Sequence, residues 1–101
     1  MAKNLKKGKF YLHNDINGGH PALIYKKNYK KNKYKAVQFT SKNGLNRTRL
    51  KHNINGNDET PSFVLNQPIE DKRKGFGSKE LKGLKIDKDD KYLIIKIKRK
   101  K

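Results

Sequence analysis

Two short stretches of this chain hold the side-chain types that acid-base and phosphate chemistry need. Gly18-Gly19-His20-Pro21-Ala22-Leu23-Ile24-Tyr25 sets an imidazole where a glycine-rich loop enters an apolar run, and Ala36-Val37-Gln38-Phe39-Thr40-Ser41 ends a second apolar run on two hydroxyls. An imidazole titrates near pH ~6.5 and serves as either general acid or general base. The Thr40 and Ser41 hydroxyls are of a kind that donates to a phosphate oxygen. His13, in the Asn-, Asp- and Gly-rich stretch just upstream, offers a second proton-transfer group. If the two runs pair as a hairpin, the start of one lies beside the end of the other, and His20, Thr40 and Ser41 face one surface. Cleavage of RNA by its own 2′-hydroxyl needs a base for that proton, an acid for the leaving 5′-oxygen and cations for the phosphate. The plainer reading is a histidine that begins a strand and two hydroxyls that end one. Sequence alone leaves both open.

Cations are abundant around these positions. Arg47, Arg49 and Lys51 alternate with Thr48, Leu50 and His52, which puts three positive charges on one face of an extended segment, spaced to meet successive phosphates. Lys outnumbers Arg 23 to 4, so a composition that favours Lys does not account for two Arg at this spacing. His52 reads as a surface residue beside Arg49. Between the two apolar runs, Lys26, Lys27 and Tyr29 lie in a very basic hairpin with Tyr25 and Tyr34, where tyrosines either stack bases or cover a small core.

The formal net charge of +18 and pI of about 10.2 call for a polyanion, and nucleic acid is the obvious one. A Lys- and Asn-rich composition with a merely solvated surface is the competing explanation. The chain has no cysteine, which excludes disulfides, thiolate metal sites and a cysteine nucleophile. Its 3 histidines and scattered acids show no ligand spacing, so no metal and no cofactor are expected. Gly75-Phe76-Gly77-Ser78 lacks the spacing of a phosphate loop. No apolar run approaches a membrane span and no signal-peptide core follows the basic N-terminus, so a cytoplasmic protein without membrane contact is expected.

The elements that must position these residues read mostly as strands. Residues 1–7 form a basic arm expected to be flexible, and residues 8–101 a single small domain. Strands are expected at 9–12, 22–27, 35–41, 47–52 and 62–65. Residues 13–19 and 53–61 read as turn-rich loops, and 67–78 as a mobile polar loop. Leu81, Leu84 and Ile86 return to the core. Residues 91–98 fit either a helix face through Leu93, Ile94 and Ile97 or a strand through Leu93, Ile95 and Ile97. Asp87 as N-cap with acids in the first turn decides for the helix. Five short strands and a terminal helix predict a mainly β fold, a curved antiparallel sheet or SH3-like barrel with a short C-terminal helix.

In order and spacing these pieces resemble the MazF/PemK-like toxin endoribonucleases. The resemblance rests on the glycine-containing loop, a basic or polar residue before Pro21, the apolar strand after it, and a second strand ending in Thr40. Ser62-Phe63-Val64-Leu65 followed by Gln67 resembles a later strand of that family. Leu84-Lys85-Ile86-Asp87-Lys88-Asp89-Asp90 resembles its lead-in to the last helix. The match runs from about Lys7 to Ile97. It implies an SH3-like barrel, a homodimer, an acidic antitoxin partner, and metal-independent cleavage of single-stranded RNA with His20 and Thr40 as the catalytic pair. The family usually has Arg before that proline, whereas this chain has His20, which shifts the expected role from electrostatic clamp toward proton transfer. The alternative is a non-catalytic nucleic-acid-binding or ribosome-associated module on the same fold.

Overall fold

A computed structural model of the chain describes residues 4–15 and 18–100. It contains β1 (Phe10–Asp15), β2 (Gly18–Asn28), β3 (Lys33–Thr40), β4 (Arg47–Arg49), β5 (Phe63–Leu65), β6 (Ile69–Lys72), β7 (Phe76–Leu81) and one helix, α1 (Lys91–Lys98). All the strand pairs are antiparallel, in the order β4-β5-β3-β2-β1-β7, with β6 also beside β3. The fold is therefore mainly β with a short C-terminal helix. β3 is its centre. One edge of β3 pairs with β2, while the other takes β6 along Lys33–Ala36 and β5 at Phe39 and Thr40.

β3 is buried on both faces because the sheet carries a core on each side. Strand alternation sends Val37 and Phe39 to one side, where Phe10, Leu23, Val64, Ile94 and Ile97 meet them. It sends Tyr34 and Ala36 to the other, against Tyr11, Ala22, Ile24 and Phe76. α1 covers the first side with Ile94 and Ile97, and Leu93 packs beside them. The helix forms as expected, but Asp87 caps the turn before it, and the N-cap position of α1 itself, Asp90, makes no side-chain cap bond. The Asp87 carboxylate accepts from the Asp89 amide at 3.0 Å and opens a 3-10 turn that runs straight into α1. No helix among the described residues is long and apolar enough to cross a membrane.

Several sequence expectations change. Seven strands form rather than five, and residues 67–78 are not a loop. Glu70, Asp71 and Lys72 are polar, yet they pair with the central strand through Lys35, Tyr34 and Lys33. Phe76 then buries its ring between His13 and Tyr34, at centroid distances of 4.9 and 6.3 Å. Main-chain pairing and one aromatic anchor set this segment, and neither leaves a hydrophobic alternation to read. His13, Asn14, Asp15, Gly18 and Gly19 are strand rather than loop; positions 16 and 17 of that expected loop lie outside the described residues. The expected strand at 47–52 stops after three residues, because Lys51 and His52 turn their amides onto Asp90.

The sheet curls, but backbone pairing does not close it into a barrel among the described residues. β6 and β7 are joined by a 3-10 turn, Arg73–Gly75, with no ladder between them. The first three residues of the expected arm also lie outside the described residues. In the remainder, Leu5 is buried, its amide donates to the Tyr34 hydroxyl, and the Lys6 amide donates to Tyr11.

A candidate nucleic-acid face around His20 and Thr40

Residues directly opposite in an antiparallel pair share a face of the sheet. His13 lies opposite His20 in the β1–β2 pair, and Ala22 opposite Gln38 in the β2–β3 pair. Extending that second register by two residues, just past the last paired position, sets His20 across from Thr40. Thr40 is opposite Phe63, and Phe63 is opposite Arg49. One face thus carries a row of His13, His20, Thr40, Phe63 and Arg49 across four neighbouring strand pairs. Arg47 stands two residues from Arg49 on the same side. His20 and Thr40 are half-buried and Arg49 is exposed, whereas His13 and Phe63 are buried, so the row reaches solvent at His20 and Thr40 and again at Arg49. The Thr40 Oγ1 accepts from the Lys42 amide at 3.3 Å, which leaves the hydroxyl proton to donate. The Arg47 guanidinium donates to the Lys42 carbonyl at 2.9 Å, fixing the turn that carries Ser41.

The other expected residues divide. Ser41 is exposed in the bend after β3 and the register does not bring it into the row. Lys51 is exposed beyond the end of β4. Lys26, Lys27 and Tyr29 sit at the far end of the β2–β3 hairpin; Lys27 is seven residues from His20, about 23 Å along the strand. There the Lys27 ammonium lies 5.1 Å from the Tyr29 ring centroid and 5.2 Å from that of Tyr34. Tyr29 is 81% exposed, open to a base, whereas Tyr34 is core.

His13 is buried, and both ring nitrogens are engaged. Nδ1 is 2.9 Å from Gln38 Oε1 and Nε2 is 2.8 Å from Asp71 Oδ2. The small side chain of Ala22 lets the imidazole reach across β2 to Gln38 on β3. The contact to Asp71 then joins β1 to β6 where no ladder does. Burial pushes the Asp71 carboxyl up, but the His13 hydrogen bond, the Lys72 amide, and the charges of His13 and Lys33 outweigh it and hold the carboxyl below its ordinary value. The carboxylate packs directly against the Cα of Gly75, where any β-carbon would collide with it. His13 is therefore a clasp inside the sheet rather than a group presented to a ligand. Sequence reasoning missed Asp71 and Gln38 as its partners because they are 58 and 25 residues away.

A second cluster also escaped the sequence. His52 Nδ1 is 3.1 Å from Asp58, and its Nε2 is 3.1 Å from Asp89 and 3.7 Å from Asp87. The hydrogen bonds to Asp58 and Asp89, helped by the charge of Asp87, raise the imidazole above its ordinary value against a smaller opposing effect of desolvation. Asp90, 3% exposed, takes the Lys51 and His52 amides at 2.8 and 3.0 Å and pins this loop to the start of α1. Ligand atoms of His52, Asp87 and Asp89 lie within 4.8 Å of one another. The imidazole itself already occupies these carboxylates.

No protein-family model, curated protein or solved structure matches this chain.

Proposed function

We propose that this protein binds single-stranded RNA on the face that carries His20 and Thr40 and cleaves it without a metal ion. What supports the reading is the β2–β3 register, which, extended two residues past its last pair at Ala22 and Gln38, brings an imidazole near a hydroxyl in a row ending on Arg49, in a chain of net charge +18. In this reading His20 moves the proton, taking it from the attacking 2′-hydroxyl or giving it to the leaving 5′-oxygen. Thr40 donates to a non-bridging phosphate oxygen, and Arg47 and Arg49 neutralise the flanking phosphates. His13, with Asp71 and Gln38, is a positioning residue that holds the β1–β2 hairpin in place. A homodimer belongs to the same reading, and light scattering at high protein concentration tests it.

One observation favours a second reading. His13 has both nitrogens engaged, which leaves a single imidazole in the row where two proton transfers are required. A non-catalytic RNA-binding module is that alternative. Incubation of purified protein with single-stranded RNA in EDTA separates the two. Fragments ending in a 2′,3′-cyclic phosphate support the nuclease, whereas salt-sensitive binding without fragments supports the module.

A further inference from the structure

Three Asn-Gly pairs occur in the chain: Asn17-Gly18, Asn43-Gly44 and Asn55-Gly56. Asn17 lies outside the described residues, and the other two pairs sit exposed on loops. An asparagine followed by glycine can react with its own main chain, because no side chain on the next residue shields the amide nitrogen that attacks. Exposure does not separate Asn43 from Asn55, but their hydrogen bonds do. The Gly44 amide points at Asn43 Oδ1, 2.8 Å away, so the nucleophile already faces the side-chain amide it must attack. The Gly56 amide instead donates to the Asn53 carbonyl at 3.0 Å. Asn55 Oδ1 is taken by the Asn57 amide at 2.7 Å. The two groups that would react at Asn55 are thus each engaged elsewhere.

Asn43 also has a cation at hand. A β-carbon on Gly44 would stand 3.5 Å from Arg47 Cζ and Nη1, so the guanidinium lies against the Gly44 main chain. The Lys42 carbonyl holds it there at 2.9 Å. A positive charge at that place favours loss of the Gly44 amide proton and stabilises the negative oxygen that forms as the ring closes. The corresponding point on Gly56 has no atom within 4 Å apart from the flanking residues.

We propose that Asn43 is a site of spontaneous deamidation, and that the carboxylate it produces is a one-way charge switch on the RNA face. Solvent hydroxide takes the Gly44 amide proton. The nitrogen forms a bond to Asn43 Cγ and closes a cyclic imide. The Cγ–Nδ2 bond breaks, and Nδ2 leaves as ammonia with a proton from water, which regenerates the hydroxide. A second water opens the ring at either carbonyl and gives aspartate or isoaspartate at position 43. Nothing is oxidised or reduced. The product sets a negative charge beside Arg47, in the loop that joins Thr40 to β4. That charge pairs with the guanidinium and repels phosphate, so one RNA contact is lost. The deamidation stands independently of RNA, whereas its effect on binding rests on the function proposed above.

The test ages the purified chain in mildly alkaline buffer, folded and in urea. Peptide mapping by mass spectrometry follows each asparagine, and enzymatic methylation of isoaspartate is the second readout. In the folded protein Asn43 should convert at least about tenfold faster than Asn55. In urea the two should convert within about threefold of each other, because the fold is what distinguishes them. Gly44→Ala, whose added carbon meets only ordinary contacts, should slow conversion at Asn43 about tenfold or more with circular dichroism unchanged. Equal rates at the two sites in the folded protein, or faster conversion at Asn55, would overturn the site. So would an Asn43 that stays intact in the folded chain while urea lets it convert. Asn43→Asp should weaken single-stranded RNA binding about three- to tenfold and flatten the slope of log K against log salt by about 0.7, the value for one phosphate contact. Asn55→Asp should leave the affinity within about twofold. An unchanged affinity in Asn43→Asp, or an equal loss in Asn55→Asp, would overturn the switch and leave the deamidation standing. Conversion at Asn43 in a chain that binds no RNA at all would refute the RNA reading and the switch together and uphold the modification alone.

Discussion

Replacing Asp71 by Ala removes the acceptor from His13 Nε2, a ring nitrogen that otherwise bonds at 2.8 Å inside a residue only 7% exposed. A buried donor left without a partner costs about 1–3 kcal/mol. The Asp71 side chain is itself 41% exposed, so water enters part of the vacated space and the cost falls in the lower half of that range, about 1–2 kcal/mol. For a domain of this size each kcal/mol moves the melting temperature by about 4–8 °C, so thermal unfolding at neutral pH should shift down by roughly 5–15 °C. Asp71→Asn keeps an acceptor in place and should shift it less. The pH dependence has a definite sign. The folded carboxyl lies below its ordinary value of 3.8, so its contribution is complete above that pH and disappears as pH falls through the lower, folded value. Calorimetry of wild type and Asp71→Ala should therefore show a gap that is constant from neutrality down to about pH 5 and closes in stronger acid. An unchanged melting temperature, or a gap that widens in acid, would refute the clasp.

Further outcomes follow from the same geometry. Arg47→Ala with Arg49→Ala should weaken single-stranded RNA binding and flatten the dependence of log K on log salt by about 1.4, the value for two lost phosphate contacts; a titration series in salt reads it. His52→Ala should destabilise the protein in mild acid and not at high pH. A raised imidazole contributes fully below its unfolded value of 6.5 and loses that contribution as pH rises through the higher folded value, which melting curves at pH ~5.5 and ~9 compare. Asp90→Ala leaves the Lys51 and His52 amides without their acceptor and should cost about 1–3 kcal/mol in urea unfolding, with the loop at 51–60 losing amide-exchange protection first.

Local chemistry explains what the sequence disclosed. The nearness of His20 to the end of β3 was legible because two β-rich runs flank a short basic hairpin, but the exact register was not, since an irregularity between Ile24 and Lys26 shifts it by one residue. The start of the helical segment was legible from Asp87, whose capping bond forms within two residues and opens the 3-10 turn that precedes α1. What stayed hidden depends on partners far along the chain. β6 carries Glu70 and Asp71 into the central strand with no apolar alternation, so it reads as a loop. His13 looked like a loop imidazole free to act, and only the curl of the sheet brings Gln38 and Asp71 to its two nitrogens. His52 seemed an ordinary surface group for the same reason, since Asp58, Asp87 and Asp89 converge on it from two segments.

The central claim concerns a single imidazole, and single-turnover cleavage by His20→Ala tests it most directly. Wild type and variant are compared on one labelled single-stranded RNA in EDTA, with affinity measured alongside. The account predicts that the variant binds as wild type does and cleaves about 10²–10⁴-fold more slowly, the loss expected for a general acid or base. A His20→Ala protein that cleaves as fast as wild type, or a wild type that binds the RNA and leaves it whole, would contradict it.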